Sequence, residues 1–274
     1  MNPGILISLL LAHFAADFPL QNKKIIELRN SSDMTESLFG NGIHTGIHFI
    51  AMFILILPYW SIRAFLMITA ISIYHFSIDF LKTKGINQLF AEKYSISVFL
   101  LDQAIHIVCI VLTFFLLSTP SPVKYLINNS SDGLLEAFTD SLKTVTYGQK
   151  LLLVLTLLIV GLWGVGIFIR IVMEKLNSIS NKNEIQAEKE AGQVSNTLGP
   201  EYGGFIIGIL ERLFTILAMT LNMPTMIGFI LAVKSVARLK KFEDERFVEI
   251  FIIGSFISFI SAISVGYLIG LLIK

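Results

Sequence analysis

Five histidines occur in the chain, all before residue 107, and four i, i+4 pairs account for every one of them: His13 with Asp17, His44 with His48, His75 with Asp79, and Asp102 with His106. On an α-helix this spacing stacks two side chains on one face, one turn apart, so both can point at a common centre. The same spacing lets the two histidines of a zincin helix share one ion. Imidazole with carboxylate and no thiolate is a donor set for a divalent metal, zinc foremost, with manganese or ferrous iron as alternatives. The eight candidates (His13, Asp17, His44, His48, His75, Asp79, Asp102 and His106) exceed the four ligands of one zinc. The pattern therefore predicts either two ions, or one ion with some aspartates holding imidazole rings by their other N–H.

The elements that must position these pairs are apolar. Hydrophobic residues make up 54% of the 274 and charged residues 15%, and the apolar residues come in runs near the length of a bilayer crossing rather than in stripes, which is a membrane composition. The reading is an all-α, polytopic membrane helix bundle of about eight spans: 3–20, 42–59, 62–81, 95–117, 150–173, 203–221, a short 224–236, and 247–273. It predicts a four-span His/Asp-bearing domain over 1–118, an external loop over 119–148 with Pro120, Pro122, Asn128 and Asn129, and a four-span domain over 149–274 with a cytoplasmic linker at 174–202. The first run lacks a basic leading region and holds His13 and Asp17, so it reads as a retained span rather than a cleaved signal. The lone cysteine, Cys109, sits in an apolar run and excludes an internal disulfide or a thiolate-rich centre. A net charge of +1 gives no bias toward nucleic acid.

Placement of the basic residues sets the orientation. With the termini outside, fourteen of the 21 Lys and Arg, among them Lys23, Lys24, Arg29, Lys82, Lys84, Arg170 and Arg238, fall on the cytoplasmic side and five on the outer side. All four pairs then lie in the cytoplasmic half, although orientation was set by Lys and Arg alone. The competing reading of any one pair is an interfacial hydrogen bond, and of all four a proton relay or hydrogen-bonded polar core.

Other polar residues extend the pattern. Gln21 continues the His13 and Asp17 face, Lys82 the His75 and Asp79 face, and Gln103 adjoins Asp102. Lys82 either stabilises negative charge or snorkels at a helix end. Glu211 and Arg212 lie within the sixth span and predict either substrate binding or interhelical pairing; adjacent in sequence, they point apart. Lys234 and Arg238 read as a substrate-binding basic pair or as inner-leaflet anchors. Gly161, Gly164 and Gly166 read as close helix packing, not a phosphate loop.

The motifs HFAADFPLQ (His13 to Gln21), HFSIDFLKTK (His75 to Lys84) and LDQAIH (Leu101 to His106) resemble those of an uncharacterised bacterial membrane family, domain of unknown function 3307, over about the first 120 residues. The later GILERLF and AVKSVARLKKFEDE segments are similar to the tails of its longer members. The resemblance implies a bacterial inner-membrane setting. In arrangement, though not in motif, the pattern is also similar to bacterial membrane-bound metal-dependent hydrolases.

The expected function is a metal-dependent integral-membrane hydrolase with a cytoplasm-facing site and a phosphorylated or lipid-linked substrate. In it, Asp17 or Asp79 accepts a proton, Lys82 stabilises negative charge, and Gln21, Gln103, Glu211, Arg212, Lys234 and Arg238 contact substrate. The alternative is a divalent-cation or proton transporter using the same cluster. A bis-histidine haem is a third reading, disfavoured by the aspartate beside three of the histidines.

Overall fold

The computed structural model describes residues 2–86, 96–118, 145–188 and 201–273, and among the described residues there is no strand. Two compact units divide the chain, Met1–Ile159 and Val160–Lys274. The first contains α1 (Pro3–Asp17), α2 (Lys23–Arg29), α3 (Met34–Ile56), α4 (Ile62–Leu81), α5 (Ile96–Ser118) and α6 (Tyr147–Ile159). The second opens with a π-helical turn, Val160–Gly164, and continues through α7 (Val165–Glu188), α8 (Glu201–Thr220), α9 (Thr225–Val236) and α10 (Glu245–Ile273).

Helix starts follow local chemistry. Asn2 caps α1 ahead of Pro3, Asn22 caps α2, Asp33 caps α3 and Ser61 caps α4, each side chain accepting an otherwise unpaired backbone N–H at 2.8–3.1 Å. Among the described residues, six helical stretches are long and apolar enough to cross a bilayer: Met34–Tyr59, Ile62–Gly85, Ile96–Ser118, Tyr147–Leu176, Gly203–Thr220 and Glu245–Ile273. The other two of the expected eight, Pro3–Asp17 and Thr225–Val236, are apolar but shorter. At 1.5 Å per residue they reach only about 22 and 18 Å, against a hydrocarbon core of about 30 Å. The expected external loop lies, from 119 to 144, outside the described residues, as do residues 189–200 of the expected linker; α7 carries the linker's first part as helix to Glu188.

In the first unit, four helices each bury one face that changes chemistry along its length. One turn from His13 lies Leu9, from His48 Met52, from His75 Ile71, and from His106 Ile110, all within the apolar core that also holds Ile56, Met67, Ile68 and Phe114. A single i, i+4 row on each of α1, α3, α4 and α5 is therefore apolar in one half and His/Asp in the other, so packing the apolar halves together assembles the polar halves.

The short helix α2 was not foreseen. It packs so closely on α3 that a Cβ at Gly40 would lie 2.6 Å from the Arg29 backbone N and 2.7 Å from the Leu28 carbonyl carbon. Backbone cannot yield as a flexible side chain can. Gly40→Ala is expected to displace α2 and cost about 1–3 kcal/mol, read as a lower melting temperature in detergent.

Candidate metal centre

The five histidines form one buried group with exposures of 0–3%. His75, from α4, is its hub: its ring centroid lies 3.7 Å from that of His48, 4.3 Å from His106, 5.2 Å from His44 and 5.7 Å from His13. At the last turn of α1, Asp17 Oδ1 is approached by three imidazole nitrogens: His48 Nε2 at 3.0 Å, His44 Nε2 at 3.2 Å and His75 Nε2 at 3.9 Å. These four ligand atoms lie within 4.8 Å of one another, and so do those of a second set, His75, Asp79 and His106. Around a tetrahedral zinc with bonds near 2.05 Å, ligand atoms stand about 3.3 Å apart. The distances of the three imidazole nitrogens from Asp17 Oδ1, 3.0–3.9 Å, bracket that spacing.

The remaining polar groups arrange these ligands. Gln103 Nε2 donates to Asp17 Oδ2 at 2.8 Å, and His13 Nε2 stands 3.6 Å from the same oxygen. Gln21, with its amide oriented to satisfy both neighbours, donates to the Asp17 carbonyl at 3.0 Å and accepts from Arg29 Nη1. His106 Nδ1 donates to the Asp102 carbonyl at 2.8 Å, an acceptor only, which leaves the Nε2 lone pair of the neutral ring facing the cluster. Among the described residues, His75 Nε2 and His106 Nε2 have no hydrogen-bond partner although both are buried, as ligand nitrogens would be before an ion arrives.

Four charges form an alternating chain beside the imidazoles. Arg29 Nη2 lies 2.6 Å from Asp79 Oδ2, Lys82 Nζ lies 3.0 Å from Asp79 Oδ1, and Lys82 Nζ donates at 2.7 Å to Asp102 Oδ2. Asp79 and Asp102 thus have two cations between them. Asp17 has no Lys or Arg within 4 Å among the described residues and faces only imidazoles and amides. With neutral rings, the centre carries one unbalanced, nearly buried negative charge.

The structure brings together His13, Asp17, His44, His48, His75, Asp79 and His106, with Lys82, Asp102, Gln21 and Gln103 at their edge. Asp102 lies against Lys82 and outside both ligand sets. Arg29 is the residue sequence reasoning missed. Counted as a cytoplasmic flank, it is only 6% exposed, and its Nε also donates to Asn41 Oδ1 at 3.2 Å. The available signal was Ile25, one turn earlier and likewise buried, which marks the inward face of a short amphipathic helix. In the second unit, Glu211 accepts from Lys234 at 2.7 Å, joining α8 to α9. Arg212, 3% exposed, donates to the Leu162 carbonyl of the π-helical turn at 2.6 Å, and Arg238 stands over the Phe247 ring at 6.0 Å.

Fold and site together define an all-helical membrane protein whose first unit gathers a His/Asp cluster able to hold a metal ion. Residues 5–132 match the model of the family described as Protein of unknown function (DUF3307), the family that the three motifs resemble; the match spans every residue of the cluster. No curated protein and no solved structure matches the chain.

Without Arg29, the buried carboxylates of Asp79 and Asp102 share the single cation Lys82, leaving one negative charge uncompensated. Arg29→Gln is expected to cost about 3–5 kcal/mol of unfolding free energy. Arg29→Gln with Asp79→Asn should recover more than half of that loss, since neither charge then remains alone; chemical denaturation in detergent measures both.

Proposed function

We propose that the protein is a metal-dependent integral-membrane hydrolase in which one divalent ion, zinc foremost, is held by Asp17, His44, His48 and His75 and acts on a phosphorylated or lipid-linked substrate. The observation that carries this reading is the unbalanced Asp17 charge at the meeting point of three imidazole nitrogens. With the rings neutral, a divalent ion held there would change a net charge of −1 to +1. Such an ion, when bound, lowers the pKa of its water toward neutrality and so supplies a nucleophile.

The chain's own residues set the rest. Gln103 and Gln21 fix the Asp17 carboxylate and its backbone, so they act as positioning residues. Lys82, whose side chain is 19% exposed, and Arg29 place positive charge beside the centre, where negative charge on a reacting phosphoryl or acyl group would be stabilised. Asp79 holds both cations and stands 3.1 Å from His75 Nε2, within reach to accept a proton or orient the ring. Glu211, Arg212, Lys234 and Arg238 belong to the second unit and are not needed for this chemistry. The positive-inside distribution supports a cytoplasm-facing cluster, termini outside, in a bacterial inner membrane.

Burial of all five histidines at 0–3% exposure favours a second reading, a transit site for a divalent cation or protons. The two are separated by function. Purified protein is expected to retain divalent metal by elemental analysis, to lose it in a His44→Ala, His48→Ala variant, and to hydrolyse a phosphoester or lipid-linked substrate in a His75-dependent way. Metal flux in proteoliposomes that Asp79→Asn abolishes, without hydrolysis, would establish the transporter instead.

A further inference from the structure

The two ligand sets are not independent. His75 Nε2 lies 3.9 Å from Asp17 Oδ1 and 3.1 Å from Asp79 Oδ2, so one nitrogen with one lone pair is common to both. Two ions present together must divide the donors three and three: Asp17, His44 and His48 for the first, His75, Asp79 and His106 for the second. His106 is already oriented for that role, because its Nδ1 proton is committed to the Asp102 carbonyl.

Charge decides whether the second ion can enter. Arg29 and Lys82 offset Asp79 and Asp102, leaving the second set neutral before any ion binds, while the first set carries the single charge of Asp17. One divalent ion leaves the cluster at +1; two leave it at +3, inside a low-dielectric bundle and beside two fixed cations. Each ion would also have three protein ligands, one short of a zinc site. A bridging oxyanion corrects both deficits, bringing negative charge and an oxygen donor to each metal, as in paired-metal sites that act on phosphoryl groups.

Resting on the metal-centre reading above, we infer that the cluster takes one divalent ion alone and a second only together with an anionic oxygen ligand of the phosphate class. The oxyanion lies between the two ions, and Lys82 is the cation nearest its outer edge. The second set is thus a ligand-gated position, filled when substrate or product phosphate is present.

The test is a zinc count per chain on the purified full-length protein by equilibrium dialysis, at zinc concentrations below precipitation of its phosphate. One ion is expected in neutral detergent. Two are expected with added inorganic phosphate, or with vesicles containing phosphatidic acid. A rise with inorganic phosphate shows that a free anion reaches the centre; a rise with phosphatidic acid alone shows that the group arrives on a lipid. His106→Ala should keep one ion in neutral detergent, which reports an intact first set, and fail to gain the second with either ligand. Two ions in neutral detergent, or one under every condition, would overturn the inference. No zinc at all would remove the metal centre itself, and this proposal with it.

Discussion

A carboxylate buried among imidazole rings is the constraint on which the first unit depends. An isolated buried charge is costly by several kcal/mol even after relaxation, and among the described residues no Lys or Arg lies within 4 Å of Asp17. Its surroundings are donors: Gln103 on one oxygen, His44 and His48 on the other, and Gln21 on its backbone carbonyl. An arrangement that directs this many polar groups at one anion, with no Lys or Arg beside it among the described residues, is complementary to a positive charge from elsewhere. By contrast, Asp79 and Asp102 are already satisfied by Arg29 and Lys82. This division of labour singles out one carboxylate of three as the anchor of the centre.

Rigidity comes from where the ligands sit. Each of the four donor helices continues into the apolar core, with Leu9, Met52, Ile71 and Ile110 one turn from His13, His48, His75 and His106, so the imidazoles are held by packing rather than by loops. Charges then bind the elements: Arg29 draws α2 onto α4, Lys82 draws α4 onto α5, and Asn41 on α3 accepts from Arg29 Nε. Lys84 adds a tie by donating to the Ser31 carbonyl at 2.8 Å, fixing the turn that follows α4 to the α2–α3 connection. The polar end of the bundle is therefore held as firmly as its apolar end, by different forces.

Much of this was legible in the sequence, because helical periodicity and residue type suffice to place His13, His44, His48, His75 and His106 on inward faces. That they share one level followed from counting turns from each span's end. What periodicity cannot supply is partner choice. Asp17 and Asp102 look equivalent as members of i, i+4 pairs, but one collects imidazoles and the other a lysine, a distinction set by which neighbouring side chains the packed helices bring to each. Arg29 escaped because a basic residue between apolar runs reads as a solvated flank, and only the register with Ile25 turns it inward. The π-helical turn at Val160–Gly164 escaped for a related reason: its Leu162 carbonyl is satisfied by Arg212, fifty residues away, and a hydrogen bond at that range leaves no local trace. The count of eight spans is not confirmed: among the described residues six helices are long and apolar enough to cross a bilayer, and Pro3–Asp17 and Thr225–Val236 are apolar but shorter.

X-ray absorption at the zinc edge of the loaded, purified protein tests the central claim most directly, because it reads the ligands rather than the consequences. The account predicts a first shell of nitrogen and oxygen near 2.0–2.1 Å, with scattering from about three imidazole rings and no sulfur. A shell of water-like oxygens without imidazole scattering, or thiolate from Cys109, would contradict it.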